Sequence, residues 1–501
     1  MKKRIALLLA LLMLGAQMIA CSEATTQETE ASPVSADPSA VESEGETETE
    51  RLDDGLEAAN YDGYGYNIYI HATIKNDFLG EEITGEPIND AQYERVLAVQ
   101  DTYNCKIAPQ LQTNTDNRAG HKELATSVEA GTNDYDLACM SAYSSCNALT
   151  AGYLMDLNSI PNLDLTQPWW DQYSVEESRI LGKNFFATGD ISTGDNAATY
   201  CIYFNKSMAE IYQMPSFYDH VDNMTWTVDN LRTYAEMVDA NLDKDADGNH
   251  VNDVDDIYGI WIWDDVMMGI VNSQGIKCCS VNQETGEIEL TLYSERLINA
   301  IDKFASYAYN MDVTCAFQRN GYDKEYGRIA FEESRGLFLL YNLDQATYLR
   351  EMEDDFGILP LPMFDENQDR YYNSAASWSL SLYSIPKSSH DEDGLARIGT
   401  ITQALAYESL YTLTPAYYEQ TLQNKVSRDE ESARMLDLIF ATRTYDFGWY
   451  FEVGSYNESI MNLLRKYNTD VTSMYKTAEK AATKGLGRTN KKILEVVEEF
   501  E

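Results

Sequence analysis

The stretch Tyr66-Asn67-Ile68-Tyr69-Ile70-His71-Ala72-Thr73-Ile74 decides how the rest of the chain is read. Ile68, Ile70, Ala72 and Ile74 fall on one side of an extended backbone and Tyr69 and His71 on the other, the period of a β-strand. Just downstream, Asn89 and Gln92 have the spacing of a capping box, ahead of a helical face carrying Tyr93, Val96, Leu97 and Tyr103. Cys105-Lys106-Ile107 predicts a second short strand, residues 121–130 a second helix, and residues 135–140 a buried strand that ends in a polar loop, residues 141–145. Strand, helix, strand, helix, strand is the alternation of an α/β domain with a mostly parallel sheet. Ligands of such sheets gather at the carboxyl ends of the strands. The 141–145 loop is expected at such an end.

Further along, residues 189–196 turn Gly-, Ser-, Thr- and Asp-rich before the apolar strand 200–204, which predicts a crossing into a second lobe. Thr227 caps a helix bearing Leu231, Tyr234, Ala235 and Val238, and Ser294 caps another bearing Leu297, Ile301, Phe304, Ala305 and Ala308. Residues 258–263 predict a strand of the second lobe. Residues 336–341 predict a strand returning to the first lobe, 356–361 a second crossing, and 378–386 a strand back in the second. The tail is helical, ending in Ile493, Val496, Val497 and Phe500, and no internal repeat is visible.

The start of the chain is of another kind. Lys2, Lys3 and Arg4 precede a short apolar core, residues 5–14, with the proportions of an export signal. Met18-Ile19-Ala20-Cys21 resembles the bacterial lipobox, which implies acylation of Cys21 as the mature N-terminus. Residues 21–59 alternate Ser, Thr, Glu, Ala and Pro and predict a disordered acidic stalk reaching roughly 35 Å. The remaining residues, about 440, suit two or three domains.

The net charge of −45 repels phosphate backbones and argues against nucleic acid and against flat contact with an anionic membrane. The eight cysteines lack framework spacing, so few or no disulfides are expected. There is no HExxH or CxxC, and no zinc site is expected. Asp243, Asp245 and Asp247 with Gly248 match the first half of a calcium loop, continued by Asn249, Asp253 and Asp255. Val254 stands where that loop needs a bidentate acid, so a neighbouring aspartate has to substitute. An acidic solvated loop is the alternative.

The order of segments resembles the extracellular solute-binding lipoproteins of bacterial ABC importers, especially the carbohydrate-binding group related to maltose-binding protein. The resemblance is carried by Gly85-Glu86-Pro87-Ile88-Asn89-Asp90, Asp134-Tyr135-Asp136-Leu137, Gly152-Tyr153-Leu154-Met155-Asp156-Leu157-Asn158 and Gln167-Pro168-Trp169-Trp170-Asp171. It continues with Tyr203-Phe204-Asn205-Lys206, Asp355-Phe356-Gly357-Ile358-Leu359-Pro360-Leu361-Pro362 and Arg428-Asp429-Glu430-Glu431-Ser432. It implies a two-lobed periplasmic-binding-protein-like α/β fold of type II with hinge crossings. Residues 60–190 and 322–358 would form lobe 1, and 191–321 and 359–501 lobe 2, with C-terminal helices packing back on lobe 1.

The resemblance also implies a lipid-anchored monomer at the outer face of the cytoplasmic membrane. It would capture an oligosaccharide or other small solute for ABC permease subunits, with no cofactor and no catalysis. Ligand-lining positions carried over are Met140, Tyr143, Ser144, Asp195, Asn196, Tyr341, Asn342, Asp344, Trp378, Trp449 and Tyr450. Among them, Trp378 and Trp449 are the expected stacking platforms. Trp169, Trp170 and Trp226 are expected in packing, and Trp261 and Trp263 fit core and cleft equally. A surface glycosidase is the alternative, but with 82 acidic residues paired carboxylates arise by chance.

Overall fold

Strand and helix alternate from the first residues of the fold: β1 (Tyr64–Ile70), α1 (Pro87–Tyr103), β2 (Cys105–Leu111), α2 (Gly120–Ala130), β3 (Leu137–Ser141) and α3 (Ala142–Thr150). A second set follows, with β4 (Tyr200–Asn205), α4 (Val228–Met237), β5 (Tyr258–Ile262), the hairpin β6 (Cys279–Val281) and β7 (Ile288–Leu290), and α5 (Glu295–Ala308). It closes with β8 (Thr314–Ala316), β9 (Gly336–Asn342) and β10 (Phe356–Leu359). Then come β11 (Ser381–Ser384), α6 (Glu392–Tyr411), α7 (Leu413–Leu422) and the long C-terminal α8 (Val471–Glu498). This computed structural model describes residues 51–78, 80, 82–238, 256–422 and 430–500.

The first sheet has the order β11-β3-β1-β2, with β1 parallel to both neighbours and β11 antiparallel to β3. Ile68 stands opposite Leu137 and Ile70 opposite Cys139. Tyr66, Ile68 and Ile70 enter one core and Tyr69 the other, so β1 is covered on both faces, as a parallel strand requires. The second sheet has the order β10-β4-β9-β5-β8, with β4 antiparallel to β9 and β10 and β5 parallel to β8 and β9. Both predicted caps form: Thr227 Oγ1 accepts from Asn230 N at 3.3 Å and Ser294 Oγ from Leu297 N at 3.1 Å. Behind the second cap α5 buries Leu297, Ile301 and Phe304, each worth about 1.5–3 kcal/mol.

Two crossing segments run side by side between the lobes. Thr199 bridges Ala375, Tyr200 N donates to Ser374 O at 3.0 Å, and Ala376 N donates to Ala198 O at 2.8 Å. The helix α8 spans both lobes. Its start stacks Tyr475 on Tyr293 at 4.7 Å, while beyond its end Phe500 meets Phe185 of the first lobe and its carbonyl accepts from Lys183 Nζ at 2.9 Å.

Several expectations are corrected. The strand 336–341 is the centre of the second sheet, and 356–361 supplies its edge strand β10 rather than a crossing. Residues 378–386 contain β11, which joins the first sheet through Ser381 opposite Ser141. The first lobe therefore takes β11, and 322–358, expected in the first lobe, belongs to the second. Residues 336–342 are buried throughout, and such a run reads as a central strand of either sheet; its composition carries no pairing information. The first strand ends at Ile70, and Ala72–Asp77 coils into 3-10 turns.

Asn89 does not cap α1. Glu86 holds that position with Pro87 at the first turn, and Asp90 instead accepts from Thr84 N at 2.7 Å and Gly85 N at 2.9 Å. Residues 142–145 are not a loop but the first turn of α3, capped by Ser141. The compact unit is Asp53–Glu501, and Leu56 and Ala59 lie against the first lobe's core, so the stalk stops short of 59. Cys105, Cys139, Cys146, Cys201, Cys278, Cys279 and Cys315 are buried free thiols. Cys21 and the acidic positions Asp243, Asp245, Asp247, Asn249, Asp253 and Asp255 lie outside the described residues.

Candidate functional site

A cavity of about 550 Å³ opens where the crossings meet the strand ends. Ala72, Thr73 and Ile74, just past β1, and Glu86, Ile88, Asn89 and Gln92 at the start of α1 form its first-lobe wall. Asn342 at the end of β9, with Asp344, Thr347 and Tyr348 beyond it, forms the second-lobe wall. The crossings themselves contribute Thr193, Gly194, Ala197 and Ala198 on one strand of chain and Trp378 and Ser379 on the other. Carboxyl ends of strands from both sheets thus face one space, the position where open α/β sheets bind ligands.

Of the residues singled out from sequence, Asn342, Asp344 and Trp378 line this cavity. Asn342 is only 2% exposed, and among the described residues its Oδ1 accepts no hydrogen bond. Asp344 accepts from the Gln345 side-chain amide at 2.5 Å, and burial pushes its carboxyl up to about 6. Trp378 is half-buried. It hydrogen-bonds the Asp265 carboxylate together with Trp263; burial raises that carboxyl, and Arg465 and the two indoles act against the rise. Tyr341, the neighbour of Asn342 on β9, is on the other side of the strand. Its ring stacks on Phe317 at 6.3 Å and leans on Trp263 at 6.1 Å, and burial raises its hydroxyl.

The other positions serve packing. Met140 is core. Ser144 Oγ donates to Asn117 O at 2.8 Å and accepts from Gly120 N at 3.0 Å, pinning α2 to α3. Tyr143 carries the Arg118 guanidinium 4.5 Å above its ring, and burial pushes its hydroxyl up to about 12. Asp195 and Asn196 turn away from the cavity onto Arg443, which lies 2.9 Å from Asp195 and donates to Asn196 Oδ1.

Trp449 and Tyr450 are both buried, so neither offers a face to a ligand. Trp449 Nε1 donates to Asn272 Oδ1 at 2.9 Å. The cause is Asp446, whose carboxylate accepts from Cys278 N at 2.6 Å, Cys279 N at 3.0 Å and Gly448 N at 2.9 Å. Those bonds press the 447–450 turn onto β6, where a Cβ on Gly448 would come within 2.4 Å of Cys278. Of the remaining tryptophans, Trp169, Trp170, Trp226 and Trp261 are core, and Trp263 is half-buried.

Sequence reasoning does not single out Thr193, Thr347, Tyr348, Ser379 or Gln420, and it names Glu86 only within a motif and Gln92 only as part of a capping box. Tyr348 carried one readable signal, a bulky ring in a short polar stretch, and it is 57% exposed at the rim. An ion pair across the opening joins Glu86 of the first lobe to Arg350 of the second at 3.5 Å. No group of acids, cysteines and histidines among the described residues could hold a metal ion.

A scan against protein-family models and a search of curated proteins found no match for the sequence. Solved structures do share the fold. An ABC substrate-binding protein of Listeria monocytogenes in complex with cycloalternan is 12% identical, covering 85% of this chain and all of its own, with a TM-score of 0.55. UgpB of Mycobacterium tuberculosis in complex with glycerophosphocholine is 14% identical over 85% of this chain and 98% of its own, TM-score 0.55. A cyclo/maltodextrin-binding protein complexed with maltotetraose is 12% identical over 90% of this chain and 98% of its own, TM-score 0.53. The chain has the two-lobed α/β fold of these solute-binding proteins.

Proposed function

We propose that the protein is the solute-binding component of an ABC importer and that its cargo is a carbohydrate. The observation that carries this reading is the cavity bounded by both lobes and by both crossing segments. A ligand held there touches Thr73 and Gln92 on one side and Asn342 and Asp344 on the other, so its contacts are complete only when the lobes are together. Such differential contact is what lets a ligand shift a hinged protein toward its closed state. The lining suits a sugar: side-chain amides of Asn89, Gln92, Asn342 and Gln420 with the hydroxyls of Thr73, Thr193 and Ser379 offer hydrogen bonds, and Trp378 offers an aromatic face. The solved structures with this fold include complexes with cycloalternan and maltotetraose, which supports the same reading.

The same reading places the protein outside the cytoplasmic membrane, acylated at Cys21, with the acidic residues up to Leu52 as a leash and permease subunits as partners. The test is calorimetric titration of the full chain with a panel of oligosaccharides, followed by chromatography of the recovered sugar. Saturable heat with intact sugar returned is the expected result. Cleaved sugar would make the protein a hydrolase, and no heat from any saccharide would overturn the carbohydrate reading.

A further inference from the structure

We propose that the cavity selects a saccharide bearing a free ammonium group, an amino sugar, with Asp344 as its counter-ion and Trp378 as the ring beside it. The inference rests on the carbohydrate-binding reading above and specifies the class of sugar.

The charge of the lining is the starting point. Among the described residues, Glu86 and Asp344 are the only carboxylates lining the cavity, and no lysine, arginine or histidine lines it. Glu86 is answered at the rim by Arg350. Asp344 has no ion-pair partner among the described residues: it accepts from one neutral amide, Gln345, and Lys324 acts on it only through space. An acidic wall alone is unremarkable in a chain with 82 acids and 37 cations. A half-buried carboxylate left without a cation on a cavity wall is a different matter, because a ligand filling the cavity strips its water and makes its charge costly unless something pairs with it.

Asn342 is the second, independent observation. It is buried, it lines the same wall two residues before Asp344, and its Oδ1 lacks a donor. Unsatisfied buried acceptors call for a donor to arrive. Both waiting groups are acceptors, one neutral and one charged. An ammonium is the sugar substituent that fits both, since it supplies three donors, has no acceptor and carries the charge that Asp344 lacks. A hydroxyl could bond to either oxygen but would leave the carboxylate unneutralised. A uronic acid or a sugar phosphate would meet repulsion and no cation among the described lining residues. Trp378 adds an aromatic face, to which a cation is attracted and on which a sugar ring stacks.

The test uses the full chain at pH 7 and three matched series in calorimetry. Glucosamine, galactosamine and a β-1,4-linked glucosamine tetramer form the first. Their N-acetyl counterparts and the neutral parents glucose, galactose and cellotetraose form the other two. The expected result is that an amine binds at least about tenfold tighter than both its N-acetyl and its hydroxyl counterpart, and that Asp344→Asn abolishes this ratio. The comparison on the unsubstituted protein stands even where D344N fails to fold. Neutral sugars binding as well as or better than amines would overturn the inference and leave the carbohydrate reading intact. No binding by any member of the three series, with heat from another saccharide of the wider panel, would also overturn it. No heat from any saccharide at all would remove both readings together.

Discussion

Arg443 Nη1 lies 2.9 Å from Asp195 Oδ2 and 3.1 Å from Asp171 Oδ2, so one buried guanidinium joins the first lobe to the start of the crossing. The same side chain donates to Asn196 and to Thr199, and its guanidinium rests 4.6 Å from the Phe440 ring. Asp190 adds a third carboxylate to the neighbourhood, accepting from Thr414 Oγ1 at 2.5 Å. The hinge is therefore an ionic knot as well as a pair of strands. Arg443→Met would leave these carboxylates buried without their cation, and a loss of about 3–5 kcal/mol is expected. Urea unfolding measures it; an unchanged midpoint and slope would show that the knot contributes nothing.

This cluster and two carboxylates elsewhere, Asp264 and Asp344, make stability depend on pH with a definite sign. Burial raises the folded-state carboxyls of Asp190 to about 7 and of Asp195, Asp264 and Asp344 to about 6, above their ordinary value of 3.8. Arg443 and Arg465 oppose the rise at Asp195 and Asp264 without cancelling it. In the window between 3.8 and about 7 the folded chain thus holds more protons than the unfolded one, and stability falls as pH rises through it. The protein should melt at a higher temperature at pH 5 than at pH 8. Asp190→Asn should flatten that slope by removing the group that titrates highest. A melting temperature that rises from pH 5 to pH 8 would contradict the assignment.

Much of the fold was readable because its signals are local. The alternation in residues 66–70, the caps at Thr227 and Ser294 and the apolar runs of β4, β5 and β9 each announce an element within a few residues. Pairing is not local. Whether β9 or β11 enters the first or the second sheet depends on partners some 140 to 240 residues away, such as Leu340 with Ile202 and Ser381 with Ser141. The site divides the same way. Asn342, Asp344 and Trp378 line the cavity next to a strand end or a crossing, but Asn342 and Asp344 belong to the second lobe, not to the first, where segment order places them. Asp195 and Asn196 were placed at the right crossing but facing the wrong way, because the residue that turns them, Arg443, comes almost 250 positions later.

The N-terminal edge of the fold gives a further test. Leu56 and Ala59 lie against the first lobe's core, and Gly55 N and Leu56 N are held by Asp53 and Asp54. A chain trimmed to begin at Asn60 loses those contacts, whereas one beginning at Asp53 keeps them. The shorter form should unfold at a lower denaturant concentration, by about 1–2 kcal/mol for two partly buried apolar side chains. Calorimetric melting of the two trimmed forms decides it, and equal melting temperatures would return the boundary to residue 60.

Trp378 and Trp449 should respond in opposite ways to the same substitution. Trp378 is half-buried at the cavity wall and packs against the edge of the larger core, so Trp378→Ala removes an aromatic face from the ligand together with its hydrogen bond to Asp265. Saccharide affinity should fall about tenfold or more, with a change in melting temperature of only a few degrees. Trp449 is 2% exposed, donates to Asn272 and belongs to the larger core. Trp449→Ala opens a cavity and leaves the Asn272 carbonyl without its donor, so a loss of about 3–5 kcal/mol is expected. Whatever folded protein remains should bind with near-normal affinity, because the tryptophan is not among the residues that line the cavity. Titration of both variants beside urea unfolding separates the two roles. Lost affinity at full stability in Trp449→Ala would move the binding site to the 447–450 turn.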